Sequence, residues 1–382
     1  MQDQPPDRSD PITAPTPILH LLNGELYAGV ERLVDHLVGA GSAYGFRSVL
    51  VFLKPGQMRA RMSSRNAEVH EVPMQSRFDM SVARKVAAVA IDTGCRLMHS
   101  HTVRGALVAR RVQGLSGLPW VHHVHSPALH ESEDRLKNLM NFIIEAHLLR
   151  RADSLLAVSA GLSSYVCRRY RISPARVTVI PNGVPDMVLP REARTPEGST
   201  NLLAVGFFRP RKGLEYLVDA AALLRDAGHN FRLRFAGEFA DADYEATIRK
   251  RVEHLRLSER VEFLGFVADV ESALADCDIF VLPSLYGEGM PMAALEAMAL
   301  ARPVVGSDID GVRELLKDGA GFLVPPARPQ PLADALGRLI STPSLREELA
   351  LAGQDRQRQC YSVQVVQKRV FDVYRELLQD RD

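Results

Sequence analysis

Short apolar runs of strand length alternate with apolar residues at helical spacing along this chain, and the alternation breaks off once before resuming. Ile18–Leu22 is the first such run. After a glycine-bearing turn, Val30, Leu33, Val34, Leu37 and Val38 recur at helical intervals. Arg47–Leu53 reads as the next strand, followed by a helix around Val82–Ile91, a strand near Leu97–His99, a helix around Gly105–Gln113 and a strand at Trp120–His125. Strands and helices alternating at these lengths predict a parallel sheet with crossover helices.

The rhythm pauses at Pro181-Asn182-Gly183-Val184-Pro185 and the polar stretch Pro190–Thr200, which has no apolar period and suits a linker. It resumes with strands at Leu202–Phe208, Phe231–Ala236, Val261–Leu264, Ile279–Leu282 and Pro303–Gly306. Helices fall at Leu214–Arg225, Tyr244–His254 and Ala293–Ala299, and a last amphipathic helix, about Val363–Leu378, has no strand after it. The expected fold class is therefore α/β, with two doubly wound, Rossmann-like domains facing each other across a cleft. A chain of 382 residues suits that count. The expected boundaries are a disordered, proline-rich tail at 1–17, a first domain at 18–185, a linker at 186–200, a second domain at 201–361 and the last helix at 362–382. Open α/β sheets bind ligands at the carboxyl ends of their strands, so chemistry is expected in the cleft.

Charge and cysteines narrow the classes further. With 47 basic and 46 acidic side chains, the formal net charge of +1 gives no general electrostatic case for a nucleic-acid partner. No apolar run approaches the ~18 residues of a membrane span. Met1–Pro17 lacks the order of a secretory signal, and Cys95, Cys167, Cys277 and Cys360 form no C-x-x-C pair. A reducing, cytoplasmic setting is the expectation.

The most informative stretch runs from Pro283 to Met298, from the end of an apolar strand through a turn with two glycines into a helix. Pro291 suits a first helical position. The amides of Met292 and Ala293, with Gly289 and Met290 before them, would then form a seat for a phosphate at the helix start. Glu288 and Glu296 bracket that seat.

These residues resemble the E-x7-E motif of the retaining, GT-B-fold glycosyltransferases of family 4. Other signatures stand in the family's order: Ala28-Gly29-Val30-Glu31-Arg32, His125 after a strand, Val158-Ser159, Pro181-Asn182-Gly183-Val184, Lys212-Gly213, Gly265, Pro283-Ser284 and Gly311-x-x-Glu314. The resemblance implies that the first domain binds the acceptor, the second binds a nucleotide-sugar donor, and the last helix crosses back to the first domain. It implies Glu296 on the ribose hydroxyls, since a carboxylate can accept two at once. Glu288 would hold the donor sugar, Lys212 the diphosphate, and Gly29 would permit close backbone approach to that diphosphate. His125 would stand beside the sugar as a catalytic group with Glu288, and the backbone near Gly265-Phe266-Val267 would read the base. One position departs from the family: its usual arginine is Phe207 here, so Arg209 is expected to supply the second positive charge.

The implied activity is transfer of a hexosyl group from a UDP- or GDP-sugar to a hydroxyl of a glycan or lipid-linked acceptor, as in bacterial surface polysaccharide assembly, with no cofactor and no metal. Two alternatives are a GT-B-fold epimerase or phosphorylase and a non-catalytic nucleotide-sugar-binding protein. His99, His101, His122, His123, His125 and His130 invite a metal, but neighbours along a strand point to opposite faces, so none is expected. Asp241-x-Asp243, Asp276-x-Asp278 and Asp308-x-Asp310 lie outside the order of the metal-dependent glycosyltransferase fold. Gly39-x-Gly41-x-x-x-Gly45 follows a helix instead of opening one, so it is no dinucleotide loop. Arg150, Arg151, Arg168, Arg169, Arg171 and Arg176 crowd one stretch, which reads by default as a solvated face; the functional alternative is a peripheral contact with an anionic inner membrane, as a partner besides the donor and acceptor.

Overall fold

In a computed structural model of the chain, residues 14–27, 29–64, 67–76, 79–130, 135–187, 198–267 and 269–379 are described. The first half runs β1 (Thr16–Leu22), α1 (Gly29–Ala40), β2 (Phe46–Phe52), α2 (Met58–Arg61), β3 (Glu68–Glu71), α3 (Val82–Asp92), β4 (Leu97–His101), α4 (Thr102–Ser116), β5 (Trp120–Val124), α5 (Arg135–Leu149), β6 (Ser154–Ala157), α6 (Ala160–Tyr170) and β7 (Val177–Val179). The second runs β8 (Thr200–Val205), α7 (Leu214–Asp226), β9 (Phe231–Ala236), α8 (Ala242–His254), β10 (Val261–Gly265), α9 (Val270–Ala275), β11 (Ile279–Leu282), α10 (Met292–Ala299), β12 (Val304–Ser307), α11 (Asp310–Leu316), β13 (Phe322–Val324), α12 (Pro329–Ser341) and α13 (Pro343–Arg356). The last helix is α14 (Val363–Gln379).

Both sheets are parallel, in the orders β3-β2-β1-β4-β5-β6-β7 and β10-β9-β8-β11-β12-β13. In each, the first strand lies inside the sheet and the order reverses beside it, between β1 and β4 and between β8 and β11. Those reversals open the crevices where doubly wound sheets hold ligands. Right-handed crossovers set α1 on one face of the first sheet and α3 to α6 on the other. The expected two halves are thus present. β3, Glu-Val-His-Glu, has no apolar run because it is a half-exposed edge strand.

α14 leaves the second half and packs on the first. Its Val366, Val370, Phe371 and Tyr374 are buried, and they meet Ile18, Leu33, Phe46, Leu97 and Val121 from β1, α1, β2, β4 and β5. Burial of side chains this large is worth about 1.5–3 kcal/mol each. Gln367 donates to the His36 carbonyl at 2.7 Å, and Tyr374 Oη lies 2.6 Å from His99 Nδ1. The chain also crosses between halves at one knot. The Val184 amide donates to the Tyr361 carbonyl, and the Val363 amide donates to the Val184 carbonyl, each at 3.0 Å.

Of the expected tail, 1–13 lie outside the described residues, and β1 starts at Thr16, ahead of the expected boundary. Residues 188–197 of the expected linker also lie outside them, as does Ala28. No helix among the described residues is long and apolar enough to cross a membrane.

Candidate functional site

Two loops at the carboxyl end of the second sheet build the charged side of the cleft. One follows β8 and the other follows β11. They are zipped together where the Leu285 amide donates to the Arg211 carbonyl at 2.8 Å. Gly213 makes that approach possible: its φ is +66°, and a side chain there would meet the Pro283 carbonyl at 2.3 Å. The consequence is a cluster around one carboxylate. Glu288 Oε1 accepts from Lys212 Nζ at 2.6 Å and from Ser284 Oγ at 2.7 Å, with Arg211 Nη1 at 3.4 Å. Burial disfavours the charge on Glu288, but Lys212 and Arg211 outweigh it and hold the carboxyl below its usual range.

Glu296 sits one turn inside α10 and is 2% exposed. Its partner comes from across the cleft: the Arg32 guanidinium of α1 forms an ion pair with Glu296 Oε1. Burial pushes the Glu296 carboxyl above its usual value, and Arg32 offsets only part of that. The carboxyls of the motif's two glutamates are therefore shifted in opposite directions.

α10 begins at Met292, so Pro291 is its N-cap residue, one position earlier than expected. The helix start faces the start of α1, where a side chain on Gly29 would come within 3.2 Å of Met292 Cγ. Gly289 lies against the other half as well, since a side chain there would meet the His125 carbonyl at 2.1 Å. Asn182 Nδ2 donates to the Met290 carbonyl at 2.9 Å, and the Ala160 amide at the start of α6 donates to Glu314 Oε2 at 2.6 Å. The expected Gly29, His125, Lys212, Glu288, Gly289, Met290, Pro291, Met292, Ala293 and Glu296 therefore converge on one cleft. Val267 packs at the edge of the core beyond β10, beside the half-exposed Phe266, over whose ring the Arg61 guanidinium stands at 5.1 Å.

Arg209 packs on a neighbour of its own loop. Its guanidinium lies over the Phe207 ring at 5.0 Å, and Arg211 occupies the place beside Glu288 instead. The reason is local. Pro210–Lys212 forms a single 3-10 turn with Arg209 in extended conformation before it, so the two arginines leave the backbone in different directions. Arg32 and Arg211 are the participants to which no role attached in the sequence. The signal for Arg32 was its place one helical turn after Gly29.

The histidines correct a sequence argument. Alternation along β5 does separate His122 from His123: His122 faces Ser100, at 2.8 Å, and the Trp120 ring. Register, however, sets His20 beside His99 and His101 beside His123 across strands. Two sets, His20/His99/His101 and His101/His123/His125, bring ring nitrogens within 4.8 Å of one another. His125 Nε2 lies 3.1 Å from His101 Nδ1, and burial lowers the His125 pKa to about 3, so this imidazole is neutral. The side chain of His130 lies outside the described residues.

The Asp-x-Asp strings have structural work. Asp241 caps α8, Asp278 accepts from the Asn201 amide, and Asp308 and Asp310 both pair with Arg313.

Residues 27–186 match the family described as Glycosyltransferase Family 4, and residues 188–356 match Glycosyl transferases group 1. Alpha-D-kanosaminyltransferase of Streptomyces kanamyceticus is 29% identical over 279 residues, 68% of this chain and 71% of that protein. Alpha-maltose-1-phosphate synthase of Mycolicibacterium smegmatis is 30% identical over 312 residues, 74% of this chain and 79% of that protein. Among solved structures, Anabaena HepE in complex with UDP-glucose superposes with a TM-score of 0.83 at 20% identity, covering 94% of this chain and 99% of that one. That likeness establishes the two-domain GT-B fold.

Proposed function

The chain belongs to glycosyltransferase family 4, and from that premise we propose that it is a retaining glycosyltransferase acting on a nucleotide diphosphate sugar. The observation that carries this reading is the convergence of Lys212, Glu288, Glu296 and the start of α10 on a cleft closed from the other side by Gly29 and His125. A diphosphate placed at the helix start would meet the amides of Met292 and Ala293, with Lys212 beside it. Glu296 would take the ribose hydroxyls in place of Arg32, and Glu288 would take hydroxyls of the hexose.

In the reaction, the bond from the anomeric carbon to the β-phosphate oxygen breaks and a bond to the acceptor oxygen forms on the same face. The acceptor's proton passes to the departing phosphate. Lys212 and the helix start stabilise the charge that grows there, which is the role of preorganised donors in catalysis. Neutral His125 beside the sugar would donate or accept a hydrogen bond without adding charge. No metal is assigned to this step, because cationic side chains and a helix start supply what a metal would.

The acceptor is a hydroxyl of a glycan or lipid-linked molecule bound on the first half, with a cytoplasmic setting supported by four free cysteines. Contact with an anionic membrane would bring a lipid-linked acceptor within reach. Arg150, Arg151, Arg168, Arg169 and Arg171 are exposed, but they lie at the amino ends of the strands, away from the cleft. A better-placed apolar element is α5, whose Leu136, Leu139, Met140 and Ile143 are exposed at helical spacing and start at the cleft end.

Incubation with a panel of UDP- and GDP-sugars and candidate acceptors, with and without EDTA, tests the assignment. Acceptor-dependent nucleotide release that persists in EDTA is the expected result. Sugar isomerisation without nucleotide release would point to an epimerase, and binding without turnover to a non-catalytic protein.

A further inference from the structure

His99 and His101 stand two residues apart on β4, so both imidazoles leave the same face of the sheet. On the neighbouring strand, His20 is in register with His99 and adds a third imidazole to that face. All three are at most 1% exposed. Each uses one ring nitrogen on an outer partner. His20 Nε2 lies 3.3 Å from Ser48 Oγ, His99 Nδ1 lies 2.6 Å from Tyr374 Oη, and His101 Nδ1 lies 3.1 Å from His125 Nε2. The other nitrogen of each, His20 Nδ1, His99 Nε2 and His101 Nε2, is buried without a hydrogen-bond partner. Leaving three such atoms unpaired is costly unless something binds them.

One nitrogen from each ring lies within 4.8 Å of the other two. We propose that His20, His99 and His101 form a binding site for a late first-row transition metal ion, zinc foremost, that joins β1 to β4 beneath α14. The donor set is all imidazole, which suits zinc, copper or nickel and does not suit magnesium or calcium. If the nitrogen engaged by Ser48, Tyr374 or His125 carries the proton and donates it, the other nitrogen of each ring presents a lone pair. That arrangement, with the second nitrogen anchored, is how ligating histidines are usually held. Tetrahedral coordination at about 2.0–2.1 Å needs nitrogens about 3.3 Å apart, so the ion would draw the rings together and leave a fourth position for water. Through Tyr374 the ion would fix α14, and with it the attachment between halves. The set lies apart from Lys212 and the start of α10 in sequence and adjoins the proposed site through the His101–His125 contact.

The test uses the full chain without a histidine tag, produced in zinc-supplemented medium and purified natively. Elemental analysis should find about one zinc per chain, and His20→Gln with His101→Gln should abolish it. Growth with cobalt in place of zinc should give the intense visible bands of four-coordinate Co(II). The zinc-loaded protein should melt at least ~5 °C above protein from zinc-depleted medium. Native protein holding less than about a tenth of an equivalent, or metal retained by the double variant, would overturn the site. So would the weak bands of six-coordinate cobalt. Should the variants fail to fold, the metal content and cobalt spectrum of the wild-type chain decide.

Discussion

The two halves share a topology but carry their polar residues in different places. In the second half they lie on loops: Lys212, Ser284 and Glu288 meet within a few residues of two strand ends. In the first half they are inside, where His20, His99, His101, His122 and His123 are all at most 1% exposed on the strands themselves. In the second half, the buried side chains on strands β8 to β13 are aliphatic or aromatic apart from Thr200 and Ser307. One half therefore uses its sheet as an inert platform for charged loops. The other makes the sheet interior itself polar and closes it with α14. Loop chemistry can change with a ligand at small cost, whereas interior polar groups tie the fold to their protonation state.

The largest expected effect tests the loop side of this contrast. Glu296→Ala and Lys212→Ala should each lower turnover at least ~100-fold, equivalent to ~2.7 kcal/mol, with the far-ultraviolet spectrum and melting temperature little changed. Steady-state rates with the best donor of the panel measure it. Near-normal rates in both variants would defeat the assignment of the cleft.

This difference also explains what could be read from the chain. Lys212, Glu288 and Glu296 were legible because a strand, a glycine turn and a helix start are local patterns, and their order carries family information. α14 was legible as an amphipathic helix, and its destination came only from the resemblance. The Arg32–Glu296 pair was not legible, because it joins residues of different halves through a domain arrangement that no spacing encodes. Nor was the histidine column, since alternation within one strand says nothing of register between strands. Arg209 follows from position along the chain alone, and its place over the Phe207 ring, set by the turn after it, has no signal in the sequence.

Acid should distinguish the halves next. His122 is buried against Ser100 and Trp120, with Glu145 Oε1 3.9 Å from its Nε2, and burial lowers its pKa to about 3. An unfolded histidine titrates near 6.5, so between these values the unfolded state binds the extra proton. Stability is therefore intact above about pH 6.5 and is lost as pH falls toward 3, at about 1.4 kcal/mol per pH unit for this one residue. Trp120 is the chain's single tryptophan and lies in the first half, so its fluorescence isolates that transition. Urea titrations from pH 7 to 5 should move the Trp120 midpoint down, and His122→Gln should flatten the slope. A midpoint independent of pH would remove the idea that the first half is the acid-sensitive one.

A smaller effect is expected where the halves touch. Arg32 offsets part of the burial penalty on Glu296, so Arg32→Met should raise the Glu296 carboxyl further. A protonated Glu296 accepts ribose hydroxyls less well. The acid limb of the donor KM profile should therefore move to higher pH, with a change of less than about tenfold, ~1.4 kcal/mol, at neutral pH. An unchanged acid limb would mean that Arg32 does not act through Glu296.

The smallest effect concerns the two arginines on the same loop. Arg211 lies 3.4 Å from the buried Glu288 carboxylate, whereas Arg209 stacks on a half-exposed Phe207. A cation over an exposed ring contributes about 0.5–1 kcal/mol, so Arg209→Ala should lower kcat/KM less than about fivefold. Arg211→Ala removes one of the cations that keep Glu288 charged and should cost more. Measuring both variants with one donor settles which arginine answers for the family's missing one at Phe207. If Arg209→Ala were the more damaging, the loop would have to rearrange when the diphosphate binds. The second half would then share the first half's dependence on contacts that the chain alone does not reveal.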